Sequence, residues 1–335
     1  MSLTLEVRND ELLLKVPFRI SGYTFHGSPI TLVTLRDGSL EGRGEASGVY
    51  YLDDKPEKML ATIEAKREAI EAGVTREELR KLLPPGGARN AVDCALWELE
   101  SRRASTPVWK LAGIEAPRPL LTTFTVSANT PEAMAEGARN FTQARAIKLK
   151  LTGELELDLE RVRAVRAARP DVWLGVDANQ GYERATLERL LPVLIESRVS
   201  LLEQPCARGR EAELDGIDYT IPIAADESVQ GLDEVEGLAG RFDVVNIKLD
   251  KCGGLTEGLL IGARARQLGM KVMVGNMIGT SLAMAAAFVL GQQCDVVDLD
   301  GPVFLKQDRS PGVSYKNGLI HCDELVWGYS RQQAA

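Results

Sequence analysis

The chain has 335 residues, 44% hydrophobic and 26% charged, the balance of an ordinary globular protein and length enough to bury a large core. A formal net charge of −8 argues against a nucleic-acid backbone as partner, since that binding needs clustered Lys and Arg. No run of about eighteen apolar residues predicts a membrane span, and the opening Met1-Ser2-Leu3-Thr4-Leu5-Glu6 lacks the basic-then-apolar pattern of a signal peptide.

The first 118 residues read as an α+β unit. Leu12–Val16 and Ile30–Leu35 have strand character, and Asp37-Gly38 marks a turn into a third strand at Gly42–Glu45. Thr75-Arg76-Glu77-Glu78 is a capping box that opens a helix, and Pro84-Pro85-Gly86-Gly87 stops it. Ala88, Ala91, Val92, Ala95, Leu96 and Leu99 then fall on one face of a second helix.

From Pro117 the pattern changes. Short apolar runs at Leu121–Thr125, Ala146–Lys150, Trp173–Asp177, Ser200–Glu203, Ile223–Asp226, Val244–Lys248, Lys271–Gly275 and Val296–Asp300 alternate with helical stretches, each step about one βα unit long. Leu155, Leu159, Val162 and Val165 make one such helical face. The expected architecture is α/β: a modified TIM barrel, (β/α)7β, over residues 119–313, with an N-terminal capping domain over 1–118. The tail 314–335 is expected to fold back on the cap.

The chemistry sits at the ends of these runs, where barrel strands converge on one mouth. Asp177, Glu203 and Asp226 close three consecutive strands. Three oxygen ligands suit a hard divalent cation, Mg²⁺ before Mn²⁺. The plainer reading is that they pair with lysines or helix N-termini. Lys148 and Lys150 alternate onto one face of their strand, and Lys248 ends another. Lys150 and Lys248 would flank the cation from opposite sides, placed to remove a proton α to a carboxylate on one face and return it on the other. A cation with Lys148 beside it would stabilise the enediolate charge. Alternatively, the lysines only neutralise the acids. Only His26 and His321 exist, near the two ends, which excludes most His-based triads and multi-His zinc sites, although a protonated His26 could meet a substrate carboxylate. Five cysteines without a CxxC pair read as reduced thiols of a cytoplasmic protein.

Lys148-Leu149-Lys150, Val176-Asp177-Ala178-Asn179, Glu203-Gln204-Pro205, Asp226-Glu227-Ser228 and Asn246-Ile247-Lys248 together resemble the muconate-lactonizing subgroup of the enolase superfamily, from about Pro17 to about His321. Asp298-Leu299-Asp300 is similar to the DxD of dipeptide epimerases. The stretches Thr75–Leu83, Ala88–Trp97 and Lys248–Glu257 resemble the L-Ala-D/L-Glu epimerase branch. The resemblance implies Lys150 and Lys248 as acid and base, Asp298 and Asp300 on the substrate ammonium, and Thr125, Asn276 and Met277 lining the site. It also implies a small dipeptide substrate and a place in murein peptide metabolism. It leaves a homo-oligomer open and calls for no nucleic-acid or membrane partner. The loop Ser21–His26 carries no Arg or Lys, whereas glutamate-specific members are expected to place a basic residue there. Two other readings stand beside this one: a lyase of the cycloisomerase or o-succinylbenzoate synthase type, and a barrel that binds without catalysis.

Overall fold

The computed structural model describes residues 3–20 and 22–330. The chain opens with an antiparallel sheet of β1 (Thr4–Ile20), β2 (Tyr23–Asp37) and β3 (Leu40–Ala46). Short helices α1 (Pro56–Glu64), α2 (Arg67–Glu71) and α3 (Arg76–Leu82) follow, then the long α4 (Gly87–Arg103) and α5 (Val108–Leu111). The capping box forms as read: Thr75 and Glu78 bond reciprocally at the start of α3. The first strand runs well beyond Leu12–Val16, and residues 22–26, read as a loop, belong largely to its hairpin with β2, pairing Phe18 with Phe25 and Ile20 with Tyr23. Ser21 lies outside the described residues.

The second body is an eight-stranded parallel sheet, in the order β5 to β12. Its elements are, in sequence, β4 (Leu120–Leu121), β5 (Thr123–Val126), α6 (Pro131–Asn140), β6 (Ala146–Lys150), α7 (Leu155–Ala168), β7 (Trp173–Asp177), α8 (Arg184–Glu196), β8 (Leu201–Glu203), β9 (Ile223–Ala225), β10 (Val244–Lys248), α9 (Leu249–Cys252), α10 (Leu255–Gln267), β11 (Lys271–Gly275), α11 (Ser281–Gly291) and β12 (Val296–Val297). This is the modified (β/α)7β barrel with an N-terminal capping domain that the sequence leads one to expect. Two connections depart from the full repeat. Between β8 and β9, and between β9 and β10, the described residues form only 3₁₀ turns, Glu211–Leu214 and Leu232–Leu238. Gly209, Gly216 and Pro222 interrupt the first segment and Gly231, Gly237 and Gly240 the second, too often for a helix to propagate.

The sheet ends, β5 and β12, are joined by side chains. The Thr123 hydroxyl donates to Asp298, the Thr125 backbone N–H to Asp300 Oδ2 at 2.6 Å, and the Leu299 N–H to Thr122 Oγ1 at 2.9 Å. The eighth run is correspondingly shorter than read: Asp298–Asp300 lies beyond the last ladder pair.

Helix α4 joins the two bodies. Ala88, Ala91, Val92, Ala95, Leu96 and Leu99 pack in the cap core with Leu5, Val33, Leu35 and Met59. Its other face, polar in sequence, meets the barrel instead of water. Asp93 accepts from the Thr256 hydroxyl at 2.6 Å and the Thr256 N–H at 3.0 Å, while Trp97 Nε1 donates to Thr256 Oγ1 at 2.9 Å. Burial holds the Asp93 carboxyl up at about 6 against these bonds. After the barrel, β13 (Ser314–Lys316) pairs antiparallel with β14 (Leu319–His321), which pairs antiparallel with β4 at the barrel's start. The chain then reaches the cap, where Trp327 Nε1 donates to the Arg43 carbonyl at 3.0 Å and the Gly328 N–H to Glu98 Oε1 at 3.1 Å. Residues 331–335 of the expected tail lie outside the described residues.

Strand β3 lies flush on α4, and two glycines make that approach feasible. A Cβ on Gly44 would overlap the Ala91 carbonyl oxygen, and one on Gly42 the Ala95 carbonyl oxygen. Gly44→Ala is therefore expected to lower the urea midpoint with an unchanged slope, a loss of about 1–3 kcal/mol. An unchanged midpoint would show that the sheet can lift off the helix freely.

Candidate active site

The barrel mouth beneath the cap encloses a cavity of about 230 Å³. Parallel pairing sets its floor. Lys150, Asp177 and Glu203 are consecutive partners across β6, β7 and β8, so their side chains stand in one row about 4.8 Å apart. Asp226 sits just past β9, and Gln204 fixes its place. The Gln204 side-chain Oε1 accepts from the Asp226 N–H at 2.9 Å and the Ser228 N–H at 3.1 Å, while Nε2 donates to Ser228 Oγ at 2.8 Å. Asp177, Glu203 and Asp226 are fully buried, and one oxygen from each lies within 4.8 Å of the others.

Lysines surround this cluster. Lys150 Nζ lies 2.5 Å from Asp177 Oδ2, and Lys248 Nζ 2.6 Å from Asp226 Oδ2. Lys148 ion-pairs closely with Asp298 and lies 3.4 Å from Glu203 Oε2. Burial pushes the Asp226 carboxyl up, but Lys248 and Lys251 outweigh it and hold it well below the usual carboxylate range. Glu203 goes the other way, to about 7, through burial and the neighbouring Asp177. Burial disfavours the Lys248 ammonium, yet Asp226 and Glu203 keep it above its ordinary value. Three buried carboxylates so close together require positive charge. The lysines supply it here, and the oxygen-only donor set also fits a divalent cation. An ion bound there would take Lys248's main partner away and disfavour its charged form.

The residues proposed from the sequence as catalytic, metal-holding or substrate-binding come together at this one place. Thr125, Lys148, Lys150, Asp226, Lys248, Asn276, Met277, Asp298 and Asp300 line the cavity. Asp177 and Glu203 lie directly beneath, against the lysines. Asn276 Nδ2 donates to the Asp298 carbonyl at 2.5 Å, which fixes the turn after β12. The two DxD acids differ. Asp298 is occupied by Lys148 and Thr123, which hold its carboxyl below the ordinary value despite burial. Among the described residues Asp300 makes no ion pair; burial and Asp298 raise its carboxyl to about 7. His26 is exposed and does not line the cavity.

Sequence reasoning missed Lys251, Asn246 and Glu227. Lys251 Nζ, completely enclosed, donates to Asp226 Oδ1 at 2.5 Å, to the Asp226 carbonyl at 2.5 Å and to the Asn246 carbonyl at 3.0 Å. Its signal was the helical turn following Lys248, which carries Lys251 back under the strand end. Asn246 shares a strand face with Lys248 and donates to Glu203 Oε1 at 2.7 Å. The Lys–x–Lys alternation on β6 had a counterpart there. Gly275 makes room for both: a Cβ would stand 2.7 Å from Asn246 Oδ1 and 3.0 Å from Lys248 Cε. Glu227, buried in the cavity wall, gave no signal beyond adjacency to Asp226.

A barrel mouth with three acids on successive strands, flanked by lysines, defines a metal-assisted acid–base enzyme class, and the comparisons place the chain within it. Residues 132–325 match the family described as "Enolase C-terminal domain-like", and residues 2–113 match "Mandelate racemase / muconate lactonizing enzyme, N-terminal domain". The L-Ala-D/L-Glu epimerase of Escherichia coli (strain K12) is 38% identical over 318 residues, 95% of this chain and 99% of that protein. An enolase family member from Agrobacterium tumefaciens with homology to dipeptide epimerases, solved with sodium and L-Ala-L-Glu, superposes with a TM-score of 0.93 at 38% identity, covering 97% of this chain and 100% of that chain. The dipeptide epimerase of Enterococcus faecalis V583, complexed with Mg and L-Leu-L-Tyr, gives 0.90 at 27% identity, covering 96% of this chain and 98% of that one. The chain belongs to the mandelate racemase/muconate lactonizing enzyme family of the enolase superfamily, among its dipeptide epimerases.

Lys251→Met removes one partner of a completely buried ion pair and takes the lysine donor from the Asp226 and Asn246 carbonyls. It is expected to cost about 3–5 kcal/mol in chemical denaturation. A loss below about 1 kcal/mol would mean that Lys251 is no more than a weak contact.

Proposed function

We propose that the chain is a Mg²⁺-dependent dipeptide epimerase that inverts the Cα of a dipeptide's C-terminal residue by 1,1-proton transfer between two lysines. The observation that carries this reading is the layout of the cavity. Lys150 and Lys248 stand on β6 and β10, with three strands between them, and the carboxylate cluster lies between the lysines. Asp300, an acid without a cation of its own, stands at the β5–β12 end.

Asp177, Glu203 and Asp226 would hold the Mg²⁺, with Mn²⁺ as the alternative. When bound, it neutralises the charge that develops on the substrate carboxylate oxygens as the α-proton leaves. Lys148, beside Glu203, adds a fixed positive charge on the same side. One lysine Nζ takes the α-proton, leaving a planar enediolate, and the other delivers a proton to the opposite face. Exchanging their roles carries the reaction in the reverse direction. Asp300 and Asp298 hold the N-terminal ammonium, for which paired carboxylates are suited. Asp298 also orients Lys148, so Asp300 is the cleaner probe of ammonium binding. Thr125 fixes Asp300, and Asn276 fixes the Asp298 backbone. The cap, residues 1–118, closes the mouth that the barrel, residues 119–313, equips. A cytoplasmic location agrees with five cysteines that all remain free.

Proton NMR in D₂O with Mg²⁺ and a panel of L,L-dipeptides tests the reaction. The C-terminal α-proton signal should disappear as a second diastereomer grows in. Lys150→Ala and Lys248→Ala should each slow epimerisation by about 10²–10⁴-fold, and each should retain α-proton exchange with a single diastereomer. Absence of exchange with every dipeptide, in folded and Mg²⁺-loaded protein, would refute the reading. Activity on a substrate lacking an ammonium, undiminished in Asp300→Asn, would favour the lyase.

A further inference from the structure

The cap half of the cavity bears on which side chain the reacting residue carries. If the substrate carboxylate faces the Asp177–Glu203–Asp226 cluster and its amide runs toward Asp300, the Cα–H bond must point at one lysine. The side chain is then left facing the cap. The cap surface there is aromatic and aliphatic. Phe25 and Tyr50 rings meet at 5.2 Å and Tyr50 and Tyr51 at 5.1 Å, while Phe18 and Phe304, their rings 4.9 Å apart, line the same cavity. Met277 and Ile278 add aliphatic lining.

Among the described residues, no unpaired cation stands where an acidic side chain would need one. Lys148, Lys150 and Lys248 lie on the floor and are each paired with an acid. Arg19 stands between Phe18 and Ile20, but strand alternation turns it away. Phe18 and Ile20 line the cavity, whereas Arg19 lines a separate cleft with Thr24, Asn129 and Arg161. Lys55 reaches the rim, yet it is 69% exposed and pairs with Asp53 at 2.8 Å. The buried acid in the wall, Glu227, opposes a second carboxylate. A carboxylate under this cap would lose its water for no cation and at most a neutral donor such as the unpartnered Tyr51 hydroxyl, whereas an aromatic or aliphatic side chain would gain edge and face contacts.

We propose that this enzyme selects dipeptides whose C-terminal residue is aromatic or aliphatic, with Phe25, Tyr50 and Tyr51 as the specificity-determining residues, and that it discriminates against glutamate there. The inference rests on the epimerase reading and makes L-Ala-L-Glu a disfavoured substrate.

The test is kcat/KM for epimerisation of L-Ala-L-Phe, L-Ala-L-Leu and L-Ala-L-Glu by the native Mg²⁺-loaded protein, with Phe25→Arg and Lys55→Ala alongside. The native enzyme should favour L-Ala-L-Phe over L-Ala-L-Glu by at least about 100-fold. Phe25→Arg should narrow or reverse that ratio, and Lys55→Ala should leave it unchanged. Turnover of L-Ala-L-Glu as fast as L-Ala-L-Phe overturns the inference while leaving the epimerase reading intact, and a glutamate activity lost in Lys55→Ala would identify the cation responsible. α-Proton exchange in none of the three, nor in the wider panel, would remove the reading on which the inference rests.

Discussion

The architecture depends on the balance of buried charge at the barrel mouth. Asp177, Glu203, Asp226 and Asp298 are all out of water, and each faces a buried lysine. Leaving any one unpaired would cost several kcal/mol, so the lysines and acids must arrive together. The sheet register guarantees this for Lys150, Asp177 and Glu203, which are direct neighbours on three strands. Gln204 and Lys251 do the same for Asp226 from outside the ladder. The arrangement is stable as lysine–acid pairs and also suits a divalent ion, whose arrival would leave the lysines less strongly held as cations. In the proposed chemistry that change makes a buried lysine a usable base.

Around this centre the remaining structure divides its work. The barrel holds the charged floor, and the cap supplies the apolar roof. Helix α4 ties them together, with a small-residue face against the cap sheet and a polar face bonded to α10 through Asp93 and Thr256. The seam between β5 and β12 links the same acids to stability and to binding. Asp298 and Asp300 bond the threonines of β5 and so close the barrel, while standing where the substrate ammonium would rest.

Much of this was legible in the sequence because strand ends in a parallel barrel share one fate. The runs Ala146–Lys150, Trp173–Asp177, Val244–Lys248 and Lys271–Gly275 coincide with strands. The charged residues that end the first three meet because the fold leaves them nowhere else to go. Periodicity was less informative where glycines break the repeat, as in the connections flanking β9, and where a hairpin extends past a polar turn, as at Phe18–Phe25. Pairing between side chains was not legible either. The alternation of Lys148 with Lys150 gives a shared face, but only the closed barrel brings Lys148 to Asp298 on the far side of the seam. Lys251 was hidden because a lysine after a strand end reads as a solvated helix residue until its surroundings are known.

The central claim is that the three acids form one cation seat, held in readiness by lysines. Calorimetric titration of metal-free protein with Mg²⁺ tests it most directly, comparing the native chain with Glu203→Gln. The account predicts saturable binding of one ion per chain, lost or greatly weakened in the variant while the fold persists. Failure of the native protein to bind, or equal binding by Glu203→Gln, would contradict it.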